Sequence, residues 1–127
     1  MIEEGVILTE ESRLLDPSAL ERLLDWGGQD LVGKMIDLFS ENAPGKVNQI
    51  RQGVHEGDLR LVERGAHSLK SSSGNVGAER VRSLAQRIEA LAEAGEGEEV
   101  PHLLEELDKT LARTVPALAE RKLASEE

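Results

Sequence analysis

The chain has 127 residues, no cysteine and a formal net charge of −10. That length suits one domain, and the missing cysteines exclude a disulfide framework, a thiolate zinc site and a thiol nucleophile. The acidic balance argues against nucleic acid and anionic membranes, both of which select a basic footprint. No apolar run approaches the ~20 residues of a membrane span. The start (MIEEGVILTEESR) carries acids where a signal peptide carries bases. Together with the absent cysteines this sets the expectation of a cytoplasmic location. With one Trp, one Phe and no Tyr against many Leu, Ala, Glu and Arg, the composition favours helix over strand.

Residues 1–15 read as an acidic arm with a short apolar patch at Val6, Ile7 and Leu8. A first, short helix starts at Asp16-Pro17, an N-cap acid followed by a proline that gives up no needed N–H. Its stripe is Leu20, Leu23 and Leu24, Gly27-Gly28 stops it, and Trp26 is a half-buried lid at its end. A second helix starts near Asp30. Its apolar positions (Val32, Met35, Ile36, Phe39, Ala43, Val47, Ile50, Val54) keep phase past Pro44, so the proline predicts a kink and not an end. Glu56-Gly57-Asp58 makes the next turn.

A third helix runs from about Asp58 to about Gly74, with Val62, Ala66, Leu69, Ser73 and Val76 in step and a break over Asn75 to Gly77. The fourth covers about 78–94, with Val81, Leu84, Ala85, Ile88, Leu91 and Ala92 inward. After Gly95-Glu96-Gly97 the last helix continues through Leu103, Leu104, Leu107, Leu111, Val115 and Leu118, with Pro116 bending its last turns. Short links make sequential helices antiparallel neighbours. The expected fold is all-α: an antiparallel up-down-up-down four-helix bundle over 16–122 with a short additional N-terminal helix, followed by a charged tail over 123–127.

The stretch Arg64-Gly65-Ala66-His67-Ser68-Leu69-Lys70-Ser71-Ser72-Ser73-Gly74 carries the chemistry. A helix turns about 100° per residue, so His67 stands one step off the apolar stripe, at the edge of the core and facing solvent. Lys70, Ser71 and Gly74 share its face on one side, Arg64 and Arg60 on the other. A neutral imidazole offers a nucleophilic nitrogen, a nearby lysine can screen an anionic group, and small residues let another protein bring its reactive atom close. Glycine and serines in a helix work against stability, so close approach explains them better.

A lone histidine beside an apolar edge is ordinarily just a helix residue, and Arg60 and Arg64 equally fit a solvated face. His55 and His102 lack partners at metal-ligand spacing, and the acidic pairs look like solvated surface.

The run Ala66-His67-Ser68-Leu69-Lys70, with Gly74, Gly77 and Ala78 after it, resembles the signature of histidine phosphotransfer (HPt) domains of bacterial-type two-component phosphorelays. The likeness extends over about residues 15–120, including the proline of the second helix. It implies that His67 is the phosphorylated histidine, that Lys70 helps neutralise the phosphoryl group, and that Gly74 lets a receiver domain dock. Arg64, Arg60 and Ser71 fall on the same docking face. Ser71 stands where the family usually has glycine; its side chain either crowds the receiver or hydrogen-bonds the phosphoryl group.

Similar proteins place a polar group against the ring nitrogen that is not phosphorylated. The helices flanking residues 76–77 bring His67 level with about residue 86, which makes Glu89 the first candidate and Gln86 the second. The resemblance further implies a phosphoryl group passing from one receiver-domain aspartate to His67 and on to another. Response-regulator receivers and a hybrid sensor kinase are the expected partners. The receiver brings Mg, and this chain has no cofactor or metal of its own. No Gly-rich nucleotide loop is present, so self-phosphorylation from ATP is not expected. Two other readings are a bundle that binds partners without being phosphorylated, and an enzyme with His67 as general base; the second lacks a nucleophile on the same face.

Overall fold

The computed structural model describes residues 14–126, with side-chain surroundings through 122. The described residues form four α-helices, α1 (Pro17–Glu56), α2 (Leu59–Val76), α3 (Glu79–Glu93) and α4 (Val100–Glu126), with a 3₁₀ turn over Gly97–Glu99. Each packs chiefly on its two neighbours, α1 on α2 and α4, α3 on α2 and α4. This is the antiparallel up-down-up-down bundle. No described helix is long and apolar enough to cross a membrane.

The boundaries follow from local chemistry. Asp16 accepts a hydrogen bond from the Ser18 amide at 3.0 Å, and Pro17 takes the first helical position. Asp58 does the same for Leu61 at 3.1 Å. Gly57 and Gly77 close α1 and α2 in the left-handed conformation. The short first helix and the second are one run, interrupted only at Gly28 (φ 70°, ψ −164°). Pro44 lies inside α1 without ending it, as the unbroken apolar phase predicts.

The core is the set of stripes expected from periodicity. Val62, Leu69, Ile88, Val100 and Leu107 are fully enclosed, each Leu, Ile or Val contributing about 1.5–3 kcal/mol gross. Ser73 is enclosed with them and satisfies its hydroxyl by donating to the Leu69 carbonyl at 2.6 Å.

Four expectations change. Ala19 and Leu23 face inward while Leu24 is exposed. Trp26 is no lid, being 75% exposed. Helix α2 runs through Val76, past the expected break at Asn75. The backbone of α4 stays helical to Glu126 through the expected tail. Most of the acidic arm, with its Val6-Ile7-Leu8 patch, lies outside the described residues; Leu14 at its end is buried and Leu15 packs on the core.

Gly77 ties the N-terminal segment to the α2–α3 turn. Its carbonyl accepts from the Asp16 amide at 2.7 Å. With φ at +74°, and with the Asp16 carbonyl oxygen where a Cβ would stand, the position accommodates only glycine without strain.

Candidate functional site

The inward stripe of α2 (Val62, Ala66, Leu69, Ser73, Val76) is buried throughout. That anchoring leaves His67, one residue past Ala66, with its side chain 62% exposed. The tight turn at Gly77-Ala78 returns α3 along α2 and brings Glu89 level with the imidazole. Glu89 belongs to the buried face of α3, beside Ala85, Ile88 and Ala92. Its side chain is only 10% exposed.

One carboxylate serves two groups. Glu89 Oε2 lies 2.7 Å from His67 Nδ1, and Glu89 Oε1 accepts from Lys70 Nζ at 2.6 Å. Burial by itself would push the Glu89 carboxyl up. The hydrogen bonds from Lys70 and His67, together with the positive charge of Lys70, outweigh that and hold it below the usual carboxylate range. An ionised carboxylate only accepts, so Nδ1 carries the proton and donates it. Nε2 then keeps its lone pair, on a side chain 62% exposed. This geometry makes a nucleophilic nitrogen of fixed tautomer and orientation.

The other expected residues fall into place differently. Gln86 does not reach the histidine; it is exposed and accepts from Arg82 at 3.1 Å, drawn there because Arg82 also chelates Glu79. Arg60, Arg64 and Ser71 are exposed, and their side chains make no hydrogen bond or ion pair among the described residues. At Gly74 an added Cβ would meet only Arg82 Cδ at 3.6 Å, an ordinary contact, so packing does not demand glycine there. Lys70 lies on the histidine's side of α2 as expected, but its ammonium is occupied by Glu89.

Sequence reasoning did not find the surface beyond Gly74. Arg22, Trp26, Met35, Gly74 and Asn75 line an open groove of about 250 Å³, with Leu38 43% exposed nearby. Among the described residues no three His, Asp or Glu side chains converge to hold a metal.

A helical bundle that exposes one oriented imidazole beside small residues and cations defines a class, and the comparisons agree with it. The family model for the Hpt domain matches residues 34–117; the chain belongs to the Hpt domain family. It is 33% identical over 70 residues to histidine-containing phosphotransfer protein 5 of Arabidopsis thaliana, covering 53% of this chain and 45% of that protein. It is 29% identical over 92 residues to histidine-containing phosphotransfer protein 2 of the same plant, covering 70% and 59%. The chain thus spans about half the length of these curated relatives.

Among solved structures it superposes on histidine-containing phosphotransfer protein B of Pseudomonas aeruginosa PAO1 with a TM-score of 0.81, at 22% identity, covering 87% of this chain and 96% of that one. The histidine-containing phosphotransfer domain of ArcB from Escherichia coli gives 0.79 at 23% identity, covering 91% and 98%. At those identities the likeness concerns the fold.

Proposed function

We propose that the chain is a phosphorelay intermediate whose His67 accepts a phosphoryl group through Nε2 from a receiver-domain aspartyl phosphate and passes it to another receiver. The observation that carries this is the hydrogen bond from Nδ1 to Glu89 at 2.7 Å on a ring otherwise open to solvent. On this reading the other nitrogen, on a side chain open to solvent, is the one that attacks. Family membership and the names of the relatives, histidine-containing phosphotransfer proteins, support the same reading.

In the transfer, the Nε2–P bond forms as the P–O bond to the aspartate breaks, and the carboxylate leaves with the electron pair. Nδ1 keeps its proton, so the ring becomes cationic beside Glu89. Such transfers pass through a loose transition state in which positioning and charge neutralisation do most of the work. Lys70 shares the Glu89 carboxylate with the ring, Arg64 and Arg60 add positive charge along the same face, and Ser71 and Gly74 shape the surface a receiver meets. In this reading the receiver brings Mg and the acid cluster, the chain uses no cofactor and no ATP, and the exchange takes place in the cytoplasm.

The test is transfer of labelled phosphate from a panel of phosphorylated receiver domains, with His67→Ala beside the wild type. Acid-labile, base-stable label on the wild type alone is the expected result. A folded wild type that takes no label from a broad panel would leave a bundle that only binds partners.

A further inference from the structure

Lys70 meets Glu89 and not open solvent, although a cation kept for a phosphoryl group should be free to reach it. The charges explain why. Attack through Nε2 requires the neutral form of the ring, in which His67 gives Glu89 a hydrogen bond but no positive charge. A carboxylate 10% exposed is costly to leave unpaired, and Lys70, with Nζ at 2.6 Å, is the cation that pairs it. After transfer the ring itself is cationic, and its Nδ1–H still points at Glu89. The phosphoryl group on Nε2 meanwhile adds roughly two negative charges. Glu89 no longer depends on Lys70, and a stronger anion stands beside it.

We infer that Lys70 changes partners during the reaction: Glu89 holds the ammonium while His67 is unphosphorylated and releases it to the phosphoryl group once the ring becomes cationic. The inference rests on the phosphoacceptor reading of His67. Lys70 lies three residues from His67, on the neighbouring turn of the same helix face, and its side chain is 31% exposed. Its four-carbon stem can swing outward without moving the backbone. Glu89 is on this account a positioning residue with two roles: it fixes the ring tautomer, and it stores the cation without touching the phosphoryl group. The exchange leaves no buried charge unpaired in either state, because each anion has one cation before and after.

The experiment follows the lysine ammonium directly. Uniformly ¹⁵N-labelled full chain is phosphorylated with phosphoramidate, a small donor that needs no receiver. ³¹P spectra confirm phosphohistidine, and side-chain ¹H–¹⁵N spectra are recorded cold and near neutral pH before and after. Lys70→Arg assigns the Lys70 signal among the five lysines. The expected result is a Lys70 ammonium slowed in proton exchange before phosphorylation and shifted to a new position after it. In Glu89→Gln the slow exchange before phosphorylation should be lost, while the phosphorylated spectrum matches the wild type at Lys70. A Lys70 signal that stays in place while ³¹P shows phosphohistidine would overturn the exchange and leave the phosphoacceptor reading intact. Absence of phosphohistidine, with receivers also failing to label the chain, would overturn both.

Discussion

Glu89 shows how much one side chain can decide. Its carboxylate interrupts an otherwise apolar face of α3, standing four residues after Ala85 and three before Ala92, and that interruption is the signal a sequence reader can find. The sequence alone leaves Gln86 as a rival, because both lie within a turn of His67's level; only the actual rotation of α3 separates the buried stripe from the exposed one. The ion pair from Lys70 to Glu89 was not legible at all, since it depends on a lysine rotamer. Because the folded Glu89 titrates below the usual carboxylate range, its contribution is fully present above that range and disappears as pH falls through the lowered value. Glu89→Gln is therefore expected to lose about 1–2 kcal/mol near neutral pH. The gap to wild type should close in acid. Urea midpoints across pH 2.5–7 check this, and a gap that persists at the acid end would contradict it.

At the scale of the element, α2 combines a buried stripe with a face whose polar side chains stand at least partly in solvent. The stripe was read correctly from its steps of three and four, because four enclosed apolar side chains and a self-satisfied serine leave one possible rotation. The N-terminal part of α1 was not, since Leu20, Leu23 and Leu24 fit two rotations and Gly28 breaks phase with the rest; the structure takes the one that buries Ala19 and turns Leu24 and Trp26 outward. The resemblance assigns Gly74 to docking. A Cβ there meets only Arg82 Cδ at 3.6 Å, and alanine is the better helix former. Gly74→Ala is expected to keep or raise stability by up to about 1 kcal/mol while slowing receiver transfer tenfold or more. Equal transfer rates at equal stability would remove Gly74 from the docking face.

For the whole molecule, short links between amphipathic helices made the bundle legible without any long-range information. The closure of its end was not legible: the Asp16 amide reaches across to the Gly77 carbonyl, a contact between distant residues that leaves no mark in local patterning beyond a glycine. Adding a Cβ at Gly77 forces both an unfavourable left-handed backbone and an overlap with Asp16. Gly77→Ala should cost at least about 2 kcal/mol. Thermal unfolding measures it, and a loss under about 0.5 kcal/mol would mean the N-terminal segment is not held by this turn. The charge pattern also belongs to this scale. Within a chain of net charge −10, Arg64 and Arg60 stand exposed three and seven residues before His67 and Lys70 three after it, so on the proposed reading an incoming phosphoryl group meets positive charge.

The central claim is that His67 acts through the one nitrogen Glu89 leaves free. Long-range ¹H–¹⁵N and ³¹P spectra of the phosphorylated protein test it most directly, because they identify which ring nitrogen of which histidine bears phosphorus. The account predicts phosphorus on Nε2 of His67, a proton retained on Nδ1, and His55 and His102 unmodified. Phosphorus on Nδ1 of His67, or on either of the other histidines, would contradict it.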